Sequence, residues 1–516
     1  MRDYPAATLP QATAANGPDK SPAPARPARL LGGIIFYALL ALLVIVAIPY
    51  GSAEPWWEAF FECAVFALAV LWIVEGLLTG SWLSGSRSLW LPVAALIAYS
   101  WFQSLPLWAA DAPSAEALGS KVWYAVSADP FETRRFVLKL IALALYAMML
   151  MRYAAGARRL RLVMHVIVAV ALASAFFGIV RQTTQSAELG FVLPFLKKGM
   201  GYGQFVNANH FAFLMEIALG LLMGLLAGRG VRGERVLVYV ALLLPIWVAL
   251  VLSNSRGGLL GMLGQLIFVA LLFTLLPPRE RGSAAERGEQ QHRGVMGDGK
   301  LSRLRRLGGS LPVRLALAAA LVLAVGVGVV FVGGEPMIGK LEASQTELSD
   351  GAGATSRQNA SRKEIWRATW TLIKAHPIAG VGFGGYWAAI PTYHNASGEL
   401  TPQQAHNDYL ELVASGGVIG LILALWLVII FLRRVRERLR AKNDDFCRAL
   451  CFGALAGLFG VAVHSIVDFG LHITINALCF VALMVIATAD CHASEANHGD
   501  VRRHPSRRKR RAVAGG

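Results

Sequence analysis

The chain is predicted to be an all-α polytopic membrane bundle of about twelve transmembrane helices, with a long periplasmic lid loop containing amphipathic helices. Three observations predict it. First, 55% of the 516 residues are hydrophobic and the mean hydropathy is +0.51, too apolar for a soluble protein of this size. Second, apolar runs long enough to cross a bilayer recur along the whole chain. Third, basic residues gather in short segments between alternate runs, the pattern that orients membrane proteins. The net charge of +17 is therefore not the footprint of a nucleic-acid-binding domain.

Residues 1–30 are rich in Ala and Pro and read as a disordered cytoplasmic tail. The first apolar run has no small-residue cleavage site after it, so it does not resemble a cleaved leader. Spanning runs are expected near 31–50, 58–79, 88–108, 134–153, 160–180, 208–228, 235–253, 257–276, 313–333, 417–432, 447–467 and 472–490. Together they make a transmembrane unit at 31–490, followed by a basic cytoplasmic tail at 491–516. Arginines at 152–161, at 229–235, in the loop 277–312 and at 433–442 all fall on one side if the runs alternate, and that side is the cytoplasm. The other side receives 51–57, 109–133, 181–207, 254–256, 334–416 and 468–472. Of these, 334–416 is expected to lie over the bundle mouth, too small and polar for a core of its own. Within it, RKEIWRATWTLIKAHP predicts an amphipathic helix with Ile365, Trp366, Thr369, Trp370 and Ile373 on one face. The five cysteines show neither metal-ligand nor disulfide spacing.

Polar residues on that outer side are the candidates for chemistry. In TPQQAHNDYLELVASGGVIG, Thr401, Pro402 and Gln404 predict a capped helix start, with His406 and Tyr409 on one face, Asn407 beside it, and a stop at Gly416–Gly417. The bland alternative is a juxtamembrane turn whose histidine satisfies a backbone group. Arg256, in LSNSRGGLLGMLG, stands between two apolar runs; a charge at that depth has a partner or a task, unless it snorkels from a helix end. Gly257 and Gly261 would let a neighbouring helix approach closely. Asn207, Asn209 and His210 enter a span together, for a ligand or for cross-helix hydrogen bonds. His464, Asp468 and His472 follow at helical spacing, an incomplete metal set that reads better as positioning hydrogen bonds.

With these motifs in hand, residues 200–480 resemble the O-antigen ligase and polymerase superfamily of bacterial membrane glycosyltransferases. The resemblance rests on NSRGGLLG, HPIAGVGFGGYW and AHNDYLELVASGGVIG, flanked by FVNANHFA and VDFGLHITINA. It implies transfer of a glycan from an undecaprenyl-pyrophosphate carrier to a hydroxyl on the periplasmic face of the inner membrane. The acceptor would be a lipid A core or a second lipid-linked glycan. No nucleotide sugar, metal or cofactor is implied, and no nucleic acid. His406 matches the family's catalytic histidine and Arg256 its essential arginine, the one suited to take the acceptor proton and the other to hold the leaving pyrophosphate with inversion at the sugar. Asn407, Tyr409, Asn207, Asn209, His210, Arg181, Arg357 and Asp468 are the expected substrate-binding residues, with Arg134 and Arg135 on the same side. A lipid-linked glycan flippase or a protein O-oligosaccharyltransferase are the rival classes.

Overall fold

Eleven of the twelve apolar runs fall on helices in the computed structural model of the chain. It describes residues 26–82, 87–110, 122–184, 202–275, 362–394, 402–441 and 445–491. The ninth run (313–333), the loop 277–312, Arg357 and almost all of both tails lie outside the described residues.

In chain order the helices are α1 (Arg26–Ala47), α2 (Pro55–Thr79), α3 (Trp90–Gln103), α4 (Pro130–Tyr153), α5 (Ala157–Thr184), α6 (Ala208–Ala227) and α7 (Arg235–Leu252). They continue with α8 (Arg256–Leu275), α9 (Arg362–Ala375), the single turn α10 (Tyr386–Ala389), α11 (Asp408–Arg440), α12 (Asp445–His464) and α13 (Thr474–Thr488). One short antiparallel pair, β1 (Trp108–Ala110) with β2 (Val122–Tyr124), is the only sheet among the described residues. Eight of the helices are long and apolar enough to cross a membrane, so this is an all-α, multi-pass membrane protein. The run at 88–108 yields only the 14 residues of α3, about 21 Å at 1.5 Å per residue, shorter than the hydrocarbon core of a bilayer.

Local chemistry sets several boundaries. Pro130 opens α4 behind Asp129, whose carboxylate accepts the amides of Phe131 and Glu132. Asn207 caps α6 by accepting the Asn209 amide. At the centre, α6 and α12 bury most of their length against each other. Gly224 faces the backbone of Gly453 and Gly220 that of Gly457, so any side chain at these positions would drive the helices apart.

The segments between helices sort to two ends. At one, the Ile475 amide donates to Gly51 O (3.2 Å), Ala128 to Val381 O (2.9 Å) and Asp408 to Ser465 O (3.0 Å). At the other, Gly156 donates to Asp490 O (3.2 Å), Arg152 pairs with Glu75 (2.6 Å) and Arg232 pairs with Asp445. Alternate crossing demands this separation, and the arginine clusters lie at the second end.

The glycine-rich loop 376–385 is folded into a break in α11. Gly417 sits at φ 61° and ψ −162°, which interrupts the helix where the sequence predicted a stop. The freed groups find partners in the loop: Ala414 O and Ser415 O accept the amides of Val381 (3.0 Å) and Gly382 (2.9 Å), while the amides of Val418 and Ile419 donate to Pro377 O and Ile378 O. From α3, Tyr99 Oη donates to Gly416 O (3.0 Å) and Gln103 Nε2 to Ser415 O (3.0 Å). Broken backbone at membrane depth persists only when satisfied by protein in this way. Thus HPIAGVGFGG and ASGGVIG act as one unit.

Three expectations change. The outer segment does have a small core, in which Ala368, Leu372, Ile373, Val381, Tyr386 and Ile390 pack with Ala405 and Ala414. The buried face of α9 is Ile365, Ala368, Thr369, Leu372 and Ile373; Trp370 is exposed, because the stripe turns toward the short residue Ala368. Cys447 and Cys491 are joined as a disulfide, a pairing between the start of α12 and the chain just past α13 that no sequence spacing reveals.

Candidate active site

Four separate stretches of sequence meet at the first of these two bundle ends. The hub is Asp468, on the loop after α12 and fully buried. One carboxylate oxygen accepts the Phe469 amide (2.8 Å) and lies 3.6 Å from His406 Nδ1. The other accepts from the Asn209 side-chain amide and lies 3.4 Å from an Arg362 guanidinium nitrogen. Asn209 Oδ1 in turn accepts from Ser255 Oγ (2.6 Å), and Ser255 Oγ accepts the Gly258 amide (3.0 Å), capping α8. Arg256 is the residue that opens α8. A polar chain therefore runs from the histidine of 405–420 through the aspartate of 464–477 and the asparagine of 201–213 to Ser255, the residue before Arg256.

Burial by itself would raise the Asp468 carboxyl. The His406 imidazole, the Phe469 amide and the charges of His210 and Arg362 outweigh it and hold the group at about 2. It is a carboxylate at any working pH, and one that orients whatever donates to it.

His406 is not in the second turn of a helix, as the capping box predicted. Asn407 is the cap, accepting the amides of Tyr409 and Leu410 (both 3.0 Å), and α11 starts at Asp408. Gln404 turns its amide nitrogen toward Glu411, which also accepts the Ala405 amide (2.8 Å), so the predicted box residue is used elsewhere. His406 itself sits at φ 49°, the left-handed region, at a cost of about 1–2 kcal/mol for a non-glycine residue. Strained backbone of this kind collects at functional positions. The side chain is about one-third exposed, and its ring meets the edge of Phe469 at 4.8 Å.

Phe469 also stands edge-on to His210 (5.0 Å) and His472 (5.8 Å), so three imidazoles surround one ring. His464, Asp468 and His472 do not share a helix. α12 ends at His464, whose Nδ1 lies 2.8 Å from Glu216, and His472 turns to Glu411 at 3.3 Å. After His464 the chain tightens into turns, the amides of Ile466 and Val467 donating to Val463 O and His464 O, so helical spacing does not extend to Asp468. Among the other expected contacts, Tyr409 Oη donates to Ala462 O (2.7 Å), tying α11 to α12. Arg181 is buried, donates to Gly203 O and lies between Phe177 and Tyr202, where it holds the entry to α6. Arg134 reaches Ser104 O (3.3 Å) and Arg135 pairs with Glu132 (2.9 Å).

Sequence reasoning missed Arg362 and Glu216. Arg362 is one of several charges on an amphipathic helix, and nothing local marks it out. Glu216 lies inside an apolar run, and an acid there was the available signal. It packs with His464 directly against Gly261 and Gly257, so the two small residues of α8 do admit close neighbours, as their spacing predicted.

The fold and this cluster define a multi-pass membrane protein with an imidazole, a buried carboxylate and two arginines gathered at one bundle end. Residues 240–425, which contain both Arg256 and His406, match the family described as O-antigen ligase. A stretch of 135 residues is 26% identical to the exopolysaccharide production protein ExoQ of Rhizobium meliloti (strain 1021), covering 25% of this chain and 31% of that protein. Both matches support the place in the O-antigen ligase and polymerase superfamily that the motifs indicated.

Proposed function

We infer that the protein is an inner-membrane glycosyltransferase that moves a glycan from an undecaprenyl-pyrophosphate carrier to an acceptor hydroxyl on the periplasmic face. The observation that carries this is the chain His406–Asp468–Asn209–Ser255, which ends beside Arg256. Asp468 faces Nδ1 of His406 and so favours the tautomer that leaves Nε2 free to accept the hydroxyl proton. The 3.6 Å separation is of the kind that tightens in a substrate complex. Arg256 and Arg362 supply guanidinium charge for the leaving pyrophosphate. Attack opposite the leaving group inverts the anomeric centre. Asn209 and Asn207 hold the α6 entry, while Asn407 and Tyr409 fix the backbone that carries His406. Between the family's two acceptor types, the ExoQ match favours a second lipid-linked repeat unit, as in an exopolysaccharide polymerase, over a lipid A core.

Catalysis needs no divalent ion in this scheme, because guanidinium charge meets the pyrophosphate, and His464, Asp468 and His472 turn to three different partners. Purified protein given a defined polyprenyl-pyrophosphate-linked glycan should transfer it in the presence of chelator. Strict dependence on an added divalent ion would reject the scheme. The orientation has its own test. With the arginine-bearing end in the cytoplasm, phosphatase fusions after Asp350 should be active and those after Gln290 inactive. The reverse pattern would move the site to the wrong side of the membrane for this donor.

A further inference from the structure

At the end of the bundle opposite His406 there is a cavity of about 540 Å³ between the starts of α5, α7 and α12 and the end of α6. Arg161, Arg229, Arg232 and Arg235 line it, against the single carboxylate of Asp445. That carboxylate is taken up by Arg232, with Arg448 at 3.4 Å. Arg161 stacks over the Phe446 ring at 4.2 Å, which holds its guanidinium at the cavity wall. Neither Arg229 nor Arg235 pairs with a carboxylate among the described residues. The polar wall is completed by His165 Nε2, 2.9 Å from Tyr239 Oη.

The same cavity adjoins an apolar stripe. On α5, Ala169, Ala173, Phe176 and Val180 are exposed and continue, three and four residues apart, the helical face on which Arg161 and His165 line the cavity. An arginine-lined cavity that opens at a helix end onto a lipid-facing stripe matches one ligand chemistry, a phosphate head with attached acyl chains. We propose that this cavity binds the headgroup of an anionic phospholipid of the inner leaflet, cardiolipin or phosphatidylglycerol, with its chains along α5. Basic pockets between transmembrane helices on the cytoplasmic side hold such headgroups, each arginine contributing through charge and hydrogen bonds to phosphate oxygens. The site is separate from the proposed chemistry and stands whether or not that chemistry is correct.

Full-length protein purified in detergent should retain cardiolipin in native mass spectrometry, and titrated cardiolipin should raise its melting temperature saturably. Arg229→Gln with Arg235→Gln should weaken that binding about twenty-five-fold, about fivefold per arginine for ~1 kcal/mol each. Asp445→Asn, which removes the one opposing charge, should bind at least as tightly as the wild type. If the double variant aggregates on gel filtration, Arg235→Gln alone is read, with a fivefold loss expected. Unchanged affinity in the arginine variants, or equal binding of phosphatidylcholine, would overturn the proposal. A melting-temperature rise with inorganic phosphate equal to that with cardiolipin would overturn it too, showing a site for soluble phosphate. Glycan transfer serves only as the control that the variants are folded.

Discussion

His406→Ala should lose about 10²–10⁴-fold in transfer rate while still binding the lipid-linked donor, since a general base contributes that much and the arginines are untouched. Three features of the fold lead to this outcome. The backbone at φ 49° is held in place by the Asn407 cap and by the Asp408 amide on Ser465 O, so the ring is presented by a fixed turn. Asp468 faces Nδ1, and Phe469 packs on the ring edge. The side chain keeps one-third of its surface open, enough for an acceptor hydroxyl to reach it. His406→Gly separates function from stability: glycine relieves the left-handed strain, so that variant should melt no lower than the wild type and still be inactive. The pH dependence follows in sign. Asp468, held at about 2, is ionised throughout the working range and adds no acid limb. Asp468→Asn, which removes the carboxylate that faces Nδ1, should slow transfer. Near-normal turnover in His406→Ala would sink the assignment and make His210, on the other side of Phe469, the next residue to test.

Arg256→Ala should cost about 10²–10³-fold, the scale for removing one preorganised group that meets developing negative charge. Arg256→Lys should fall between alanine and wild type, because lysine keeps the charge and loses the planar fork. Stability argues that this residue has a task. A cation in the first turn of a helix opposes the helix dipole by about 0.3–1 kcal/mol, so arginine is a poor choice for α8 as a helix. Membrane levels of Arg256→Ala should equal those of the wild type. Wild-type transfer by Arg256→Ala would show an arginine that only snorkels at a helix end.

Much of this protein was legible from local pattern. Apolar runs specify spanning helices because a bilayer leaves the backbone no partner but itself, and basic residues specify orientation because they resist crossing. Gly417 announced a break because few other residues reach φ 61° cheaply. Arg256 could be singled out because a charge between two apolar runs is costly, and His406 because its motif resembles the family's. Periodicity misled wherever chain partners were remote. Helical counting put His406 on a helix, yet the cap fell to Asn407, whose side-chain oxygen accepts the amides of Tyr409 and Leu410, and the helix starts after the histidine. Counting by fours joined His464, Asp468 and His472, yet α12 stops at His464.

The sequence by itself determined the class, the number and order of most spans, and the residues worth suspecting, since these follow from the solvent around each segment. Only the tertiary structure decided which suspects act together. Asp468 is 62 residues from His406 and 259 from Asn209, and nothing local encodes either contact. They meet because glycines in α6 and α12 let those helices close up, bringing the α6 entry and the loop after α12 beneath the turn that carries His406.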